Sequence, residues 1–232
     1  MKILCIGDSL ALPGHHNTYE DTWYYLLKRA FPEYDFISFF KRALTTDALV
    51  TLGGGEGDVD QRPSGADMLE SYMPDTVIIQ LGIVDCAPRL LRRFEKKILF
   101  YLPKILSIWY VDLVKVIRKR DINRTDVPIE KFQKNFENYL DRANSIKTKK
   151  VIIIEIAYPD DRMVKKNQGI IYNIEQYNAF INTLQKKYPF VKVVSPLDAR
   201  NHNESIYEDG YHPNALGHTL IADAIKIILR RE

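Results

Sequence analysis

A serine hydroxyl is a weak nucleophile until a histidine takes its proton and a carboxylate fixes that histidine's tautomer and stabilises the imidazolium. The sequence holds these parts at opposite ends. Ser9 follows Gly7-Asp8 at the close of a short apolar run, where a hydroxyl is lifted above a sheet with turn amides nearby. Asp209-Gly210-Tyr211-His212-Pro213 lies just before the last helical pattern. Three-residue spacing in a turn lets the carboxylate reach Nδ1 while Nε2 points outward. Each piece alone has an ordinary reading, as a helix cap or a surface turn. Coupled across the chain, they predict a triad with Ser9 as nucleophile, His212 as general base and Asp209 as its orienter.

Such groups need a scaffold that brings both ends of the chain to one edge. Five short apolar runs predict strands: Lys2 to Ile6, Tyr34 to Phe40, Thr76 to Gly82, Val151 to Ile156 and Val191 to Val194. Helical spacing predicts helices at Thr22 to Phe31, Pro128 to Ile146, about Asn173 to Lys187 and Ala215 to Leu229. Thr45 and Thr46 can cap a short helix through Leu52, and residues 89 to 120 hold a long helical pattern broken at Pro103. Gly53 to Gly65 reads as a loop. Strands alternating with helices indicate one α/β domain, residues 1–232, with a five-stranded parallel sheet, whose ligands bind beyond the carboxyl ends of the strands.

On these residues the sequence resembles the GDSL, or SGNH, family of serine esterases and acylhydrolases over essentially its whole length. The first block appears as Gly7-Asp8-Ser9-Leu10 and the last as Asp209-Gly210-Tyr211-His212. The third block, Gly-x-Asn-Asp in the family, stands here as Gly82-Ile83-Val84-Asp85. The resemblance implies a three-layer α/β/α, flavodoxin-like fold with a helical insertion after strand three, at about 89–124. It also implies Ser9, His212 and Asp209 in the triad, Asp8 holding the nucleophile turn, and Gly82 and Asp85 ordering the loop beside the oxyanion hole. Val84 replaces the family's asparagine and offers no side-chain donor; Arg89, four residues past Asp85, is the candidate substitute. The family's second block, Gly-x-Thr-Ser, fits Ala43-Leu44-Thr45-Thr46, so the amides of Ser9 and Ala43 are the expected backbone donors. Gly53-Gly54-Gly55 is then a rim loop, and it lacks the spacing of a phosphate cradle.

The chain has 232 residues, 46% hydrophobic and 27% charged, which excludes disorder and a polytopic membrane protein. Two cysteines, Cys5 and Cys86, make no disulfide framework, and the start holds too short an apolar run for an export signal, so a cytoplasmic location is expected. His15, His16, His202, His212 and His218 match no metal-ligand spacing, so neither metal nor other cofactor is expected; His15, His16 and Asn17 could line a pocket. Charge is uneven: Arg89 to Arg124 holds eleven Lys/Arg against three acids, a net of +8, leaving −5 for the remainder. Ile98 to Ile117 is apolar but interrupted by Pro103, Lys104, Asp112 and Lys115, so it does not read as a membrane span. It reads either as a helical layer or lid packed on the sheet with solvated basic ends, or as an interfacial helix in weak contact with an anionic membrane surface. The basic residues flank an apolar centre, which argues against nucleic acid.

The expected activity is removal of a small acyl group, acetyl foremost, from a hydroxyl of a carbohydrate or similar polar ester. The acetyl and carbohydrate parts are implied by the resemblance. An O-acyltransferase acting on a glycan uses the same triad, and a non-catalytic glycan-binding module is the reading that Val84 suggests.

Overall fold

The computed structural model describes residues 1–50, 65–89, 91, 93–118, 124–167, 169–198 and 204–230. The Gly53–Gly55 run, His202 and the basic residues Arg92, Lys119 and Arg120 lie outside them.

The five apolar runs form β1 (Lys2–Gly7), β2 (Asp35–Phe40), β3 (Thr76–Gln80), β4 (Lys150–Ile154) and β5 (Val191–Val194). They pair in parallel in the order β2-β1-β3-β4-β5. This is the flavodoxin-like doubly wound order, whose switch point lies between β1 and β3. The central strands are buried almost throughout, as strands covered on both faces must be, while β2 at one edge is only partly covered.

Alternation along the strands sorts the core into two layers. On one face Leu4, Ile6, Val77, Ile79, Val151 and Ile153 pack with α2 (Gly65–Tyr72), α6 (Ile129–Ser145) and α8 (Ile170–Lys187). On the other, Ile3, Cys5, Ile78 and Ile152 pack with α1 (Trp23–Ala30) and α9 (Ala215–Leu229). Thr22 caps α1 through the Tyr25 amide, and Asn214 caps α9 through the Gly217 amide. Leu27 and Ile225 are wholly buried, each worth roughly 1.5–3 kcal/mol of transfer from water.

Local differences from the sequence expectations have simple causes. The helix expected from Thr45 is a single 3-10 turn, Thr46–Leu49. The third strand stops at Gln80 because Gly82 turns the chain with φ 128°, a conformation a side chain resists. Three short helices were not legible: α2, α3 (Ile83–Cys86), which carries Cys86 off the strand, and α7 (Asp161–Lys166). None has an apolar stripe long enough to register. Pro103 separates α4 (Arg93–Tyr101) from α5 (Lys104–Arg118), as its position demands.

The insertion departs from a packed layer. The face of α5 bearing Ser107, Tyr110, Val111 and Val114 is covered to varying degrees, whereas Ile105, Ile108 and Trp109 on the opposite face are exposed. No helix among the described residues is long and apolar enough to cross a membrane.

Gly82 combines a positive φ with a close approach, since an added Cβ would come within 2.6 Å of Ile156 Cδ1. Gly82→Ala combines backbone strain with overpacking and is expected to cost about 2–5 kcal/mol. Urea unfolding of the variant measures this, and a loss below about 1 kcal/mol would mean that the turn relaxes freely.

Candidate active site

The nucleophile turn is built by Asp8. Its amide donates to the Gln80 carbonyl at 3.2 Å, joining the ends of β1 and β3. Its buried carboxylate accepts the Leu10 amide at 2.8 Å and so caps the 3-10 turn Ser9–Ala11. Gly7 must be small, because a Cβ there would meet the Ala11 Cβ at 2.8 Å. Ser9 thus stands at the carboxyl edge of the sheet, at its switch point. Its amide opens a turn and has no acceptor within that turn, which suits it to a developing oxyanion.

The base arrives on the segment before α9. Gly210, with φ 110°, bends it, and its carbonyl accepts the Asp160 amide at 2.8 Å. Asp160 caps α7 and holds the Arg162 guanidinium at 2.6 Å, which also donates to the carbonyls of Tyr207 and Glu208 at 3.4 Å each. On this frame Asp209 Oδ1 accepts the His212 amide at 3.0 Å, and Oδ2 lies 2.7 Å from His212 Nδ1. His212 Nε2 lies 3.1 Å from Ser9 Oγ. Partial burial pushes the Asp209 carboxyl up, but the His212 amide and ring outweigh it and hold it below its ordinary value. An ionised Asp209 therefore favours the tautomer with its proton on Nδ1, leaving Nε2 to accept the serine proton. The Tyr211 ring lies against the imidazole, with centroids 4.2 Å apart.

A staple joins the two halves that sequence reasoning missed. Glu208 accepts the amides of His15 at 2.8 Å and His16 at 3.1 Å. Asn17 accepts the Gly14 amide and donates to the Pro213 carbonyl at 3.3 Å. The segment after Ser9 is thereby tied to the segment that carries His212. Glu208 adjoins Asp209, yet nothing in its type or spacing distinguishes it from a solvated acid. His15 and His16 are exposed, so it is their backbone rather than their rings that this staple uses. His218 lies buried on α9, its Nδ1 accepting the Trp23 amide at 3.4 Å; burial pushes its pKa down to about 4 and keeps it neutral.

The third-block and second-block segments meet through Asp85. Its Oδ1 accepts Thr46 Oγ at 2.5 Å and the Thr46 amide at 2.9 Å, while Asn135 donates to the same hydroxyl at 3.1 Å. This fixes the turn containing Ala43. Ala43 adopts φ 59°, the left-handed region, which explains why glycine suits this position and costs alanine about 1–2 kcal/mol. Val84 is buried and presents no donor. Arg89 is drawn to this turn, but its Nη2 donates to the Val84 carbonyl at 3.1 Å and its Nε lies 3.3 Å from Asp126. Its guanidinium braces the turn, and among the described residues it has no hydrogen bond to Ser9 or His212. Among those residues, too, no three His, Cys, Asp or Glu side chains gather as a metal site would need.

A parallel sheet in this order, with a strand-end serine bonded to a histidine that is bonded in turn to an aspartate, defines a serine hydrolase scaffold of the doubly wound class. Residues 5–220 match the GDSL-like Lipase/Acylhydrolase family, and the chain belongs to it. No curated protein matches by sequence. Solved structures share the fold at low identity. The crystal structure of TesA has TM-score 0.62 and 14% identity, covering 100% of this chain and 99% of that one. The psychrotrophic esterase EstA from Pseudoalteromonas sp. has TM-score 0.56 and 18% identity, covering 99% and 98%. A catalytic mutant of an acetylxylan esterase from Geobacillus stearothermophilus has TM-score 0.59 and 16% identity, covering 97% and 91%.

Two buried acids under the site set its response to pH. Burial pushes Asp8 up to about 7 and Asp85 to about 6. A carboxyl whose pKa is raised by folding holds its proton longer in the native state, so stability is greatest below the unfolded value near 4. It falls as pH rises toward about 7 and is level above that. Asp8→Asn keeps an acceptor for Leu10 and removes the titration. Its stability relative to wild type is expected to improve by a few kcal/mol, to order of magnitude, between about pH 4 and pH 8. Urea titrations at both pH values test this; a constant difference would mean that Asp8 titrates alike in both states.

Proposed function

We propose that this protein is a serine esterase that removes a small acyl group, acetyl foremost, from a hydroxyl of a carbohydrate or similar polar ester. The observation that carries the reading is the continuous relay from Ser9 Oγ to His212 Nε2 at 3.1 Å and from His212 Nδ1 to Asp209 at 2.7 Å. Ser9 Oγ attacks the ester carbonyl as its proton passes to Nε2. The carbonyl π electrons move to oxygen, and the amides of Ser9 and Ala43 receive the resulting oxyanion. Collapse breaks the bond to the alcohol, which leaves with the proton from His212. Water then attacks the acyl-enzyme with His212 as base, releasing the acid and restoring Ser9. Asp209 remains ionised throughout. The acetylxylan esterase among the structural neighbours supports an acetylated carbohydrate as substrate.

Hydrolysis of p-nitrophenyl acetate tests the relay. Ser9→Ala is expected to lower kcat by about 10⁴-fold or more, and a fluorophosphonate should add once to wild type and not to the variant. Folded protein with no turnover and no adduct would overturn the esterase reading and favour a glycan-binding module.

Val84 bears on rate rather than on mechanism. Loss of one side-chain donor costs about 2.7–4 kcal/mol in a comparable hole, so wild type is expected to be slow. Val84→Asn restores a donor in the third block and is expected to raise kcat by about 10- to 100-fold with KM little changed. Steady-state kinetics on the same ester decides this, and an unchanged kcat would mean that the hole is complete without that side chain.

A further inference from the structure

The helical insertion leaves an apolar surface that the other described residues do not cover. At the tip of the α4–α5 hairpin Phe100 is 83% exposed, Tyr101 85% and Ile105 81%. Ile98, Leu102, Leu106, Ile108, Trp109 and Leu113 extend this surface along both helices. Residues 105, 108, 109 and 113 lie on one face of α5, opposite the covered face of residues 107, 110, 111 and 114. A helix apolar on two faces is normally covered on both, and a continuous exposed patch of this kind marks an interaction site.

Charge identifies what covers it. Along α4 and α5 the sequence holds Arg93, Lys96, Lys97, Lys104, Lys115 and Arg118 against Glu95 and Asp112. Glu95 is buried, accepting from the Tyr110 hydroxyl at 3.2 Å and paired with Arg124 at 3.3 Å. Asp112 is the acid on the outer face, beside Trp109 and Leu113. Two copies of this chain meeting there would set basic helix against basic helix, and the centre of a protein interface is depleted in lysine. A sequence in which basic residues flank Trp, Tyr, Phe and Ile matches the headgroup and upper acyl zone of an anionic bilayer. Spanning is excluded by length, since the fifteen residues of α5 rise about 22 Å against a hydrocarbon core of about 30 Å.

We infer that the α4–α5 hairpin is a membrane-docking element that lies in the surface of an anionic lipid bilayer. Its two ends are clamped at the site: the Arg89 amide donates to the Arg124 carbonyl at 2.7 Å, and Arg89 also holds Val84. The docked protein therefore meets the bilayer through an element rooted in the turn after β3. On the esterase reading, this favours polar esters presented at a membrane surface; the docking itself does not depend on that reading.

Vesicle sedimentation of the full chain tests the inference, using phosphatidylcholine alone and an equal mixture with phosphatidylglycerol. Binding to the mixed vesicles is expected, weakening as salt is raised, with little binding to phosphatidylcholine. Of the two tryptophans, Trp23 is wholly buried and Trp109 exposed, so a blue shift of emission on binding reports Trp109 entering lipid. The double variant Phe100→Ser with Ile105→Ser changes only exposed positions and is expected to bind about tenfold or more weakly while hydrolysing soluble ester as wild type does. Absence of binding to mixed vesicles, or equal binding to both kinds, overturns the inference. So does a dimer in light scattering that the double variant disperses, which would make the hairpin a contact between copies. Failure of the soluble-ester assay with lipid binding intact would strike the esterase reading alone.

Discussion

The bond between His212 and Ser9 joins residues 203 positions apart, and the site exists only while the chain's two ends are held together. Closing a loop of that length costs about 5 kcal/mol of chain entropy, whereas one hydrogen bond returns about 1 kcal/mol net. The contact cannot hold itself. It is held by α1 packing on α9 against the same face of the sheet, where Trp23, Leu27, Ile221 and Ile225 are fully buried. Gln80 links that layer to the nucleophile turn: its side chain accepts the Trp23 indole at 2.7 Å and its carbonyl accepts the Asp8 amide at 3.2 Å. The Ser9–His212–Asp209 relay thus rests on large apolar burial, and its geometry is set by packing beneath it.

Above the sheet the work passes to carboxylates that bind backbone amides. Asp8 holds Leu10, Asp85 holds Thr46, Asp160 holds Arg162, Glu208 holds His15 and His16, and Asp209 holds His212. A carboxylate accepting an amide fixes a loop through a charge-assisted bond, worth about twice a neutral one. Asp8, Asp85 and Asp160 are buried; the raised pKa values of Asp8 and Asp85 show what burial costs, whereas bonds from Arg162 outweigh it at Asp160. The site trades some stability above neutral pH for rigid turns at the three segments that must converge.

This division explains what was legible in the sequence. Strand periodicity, glycine endings and the proline break at Pro103 are local signals, and they located all five strands to within two residues at each end. The hydrogen-bonded arrangement of Ser9, His212 and Asp209 was legible because these residue types are rare at that spacing and because the spacing is local within each block. Glu208, Thr46 and Gln80 were not legible as site residues, and Asn17 was legible only as a residue to line a pocket, not as a tie to Pro213. Their contacts run 39 to 196 residues along the chain, and each belongs to a type that is common on any surface. Arg89 shows the converse: its position in sequence was informative, but a long side chain chooses among several acceptors, and Val84 and Asp126 claim it.

Ala43 and Val84 together indicate how the oxyanion site differs from the family pattern. A glycine in the left-handed region is free of strain and an asparagine offers a donor; this chain has neither, and Ala43 holds φ 59° all the same. Asp85 fixes the Thr46 turn from below without using the side chain of residue 43 or 84. Arg89 braces the Val84 carbonyl from the other side. The ties that hold these turns are therefore independent of the two side chains in which the sequence departs from the family pattern. On the esterase reading, an oxyanion hole made of amides alone keeps its direction and loses part of its depth, which suits an ester whose alcohol or acyl portion supplies binding energy elsewhere.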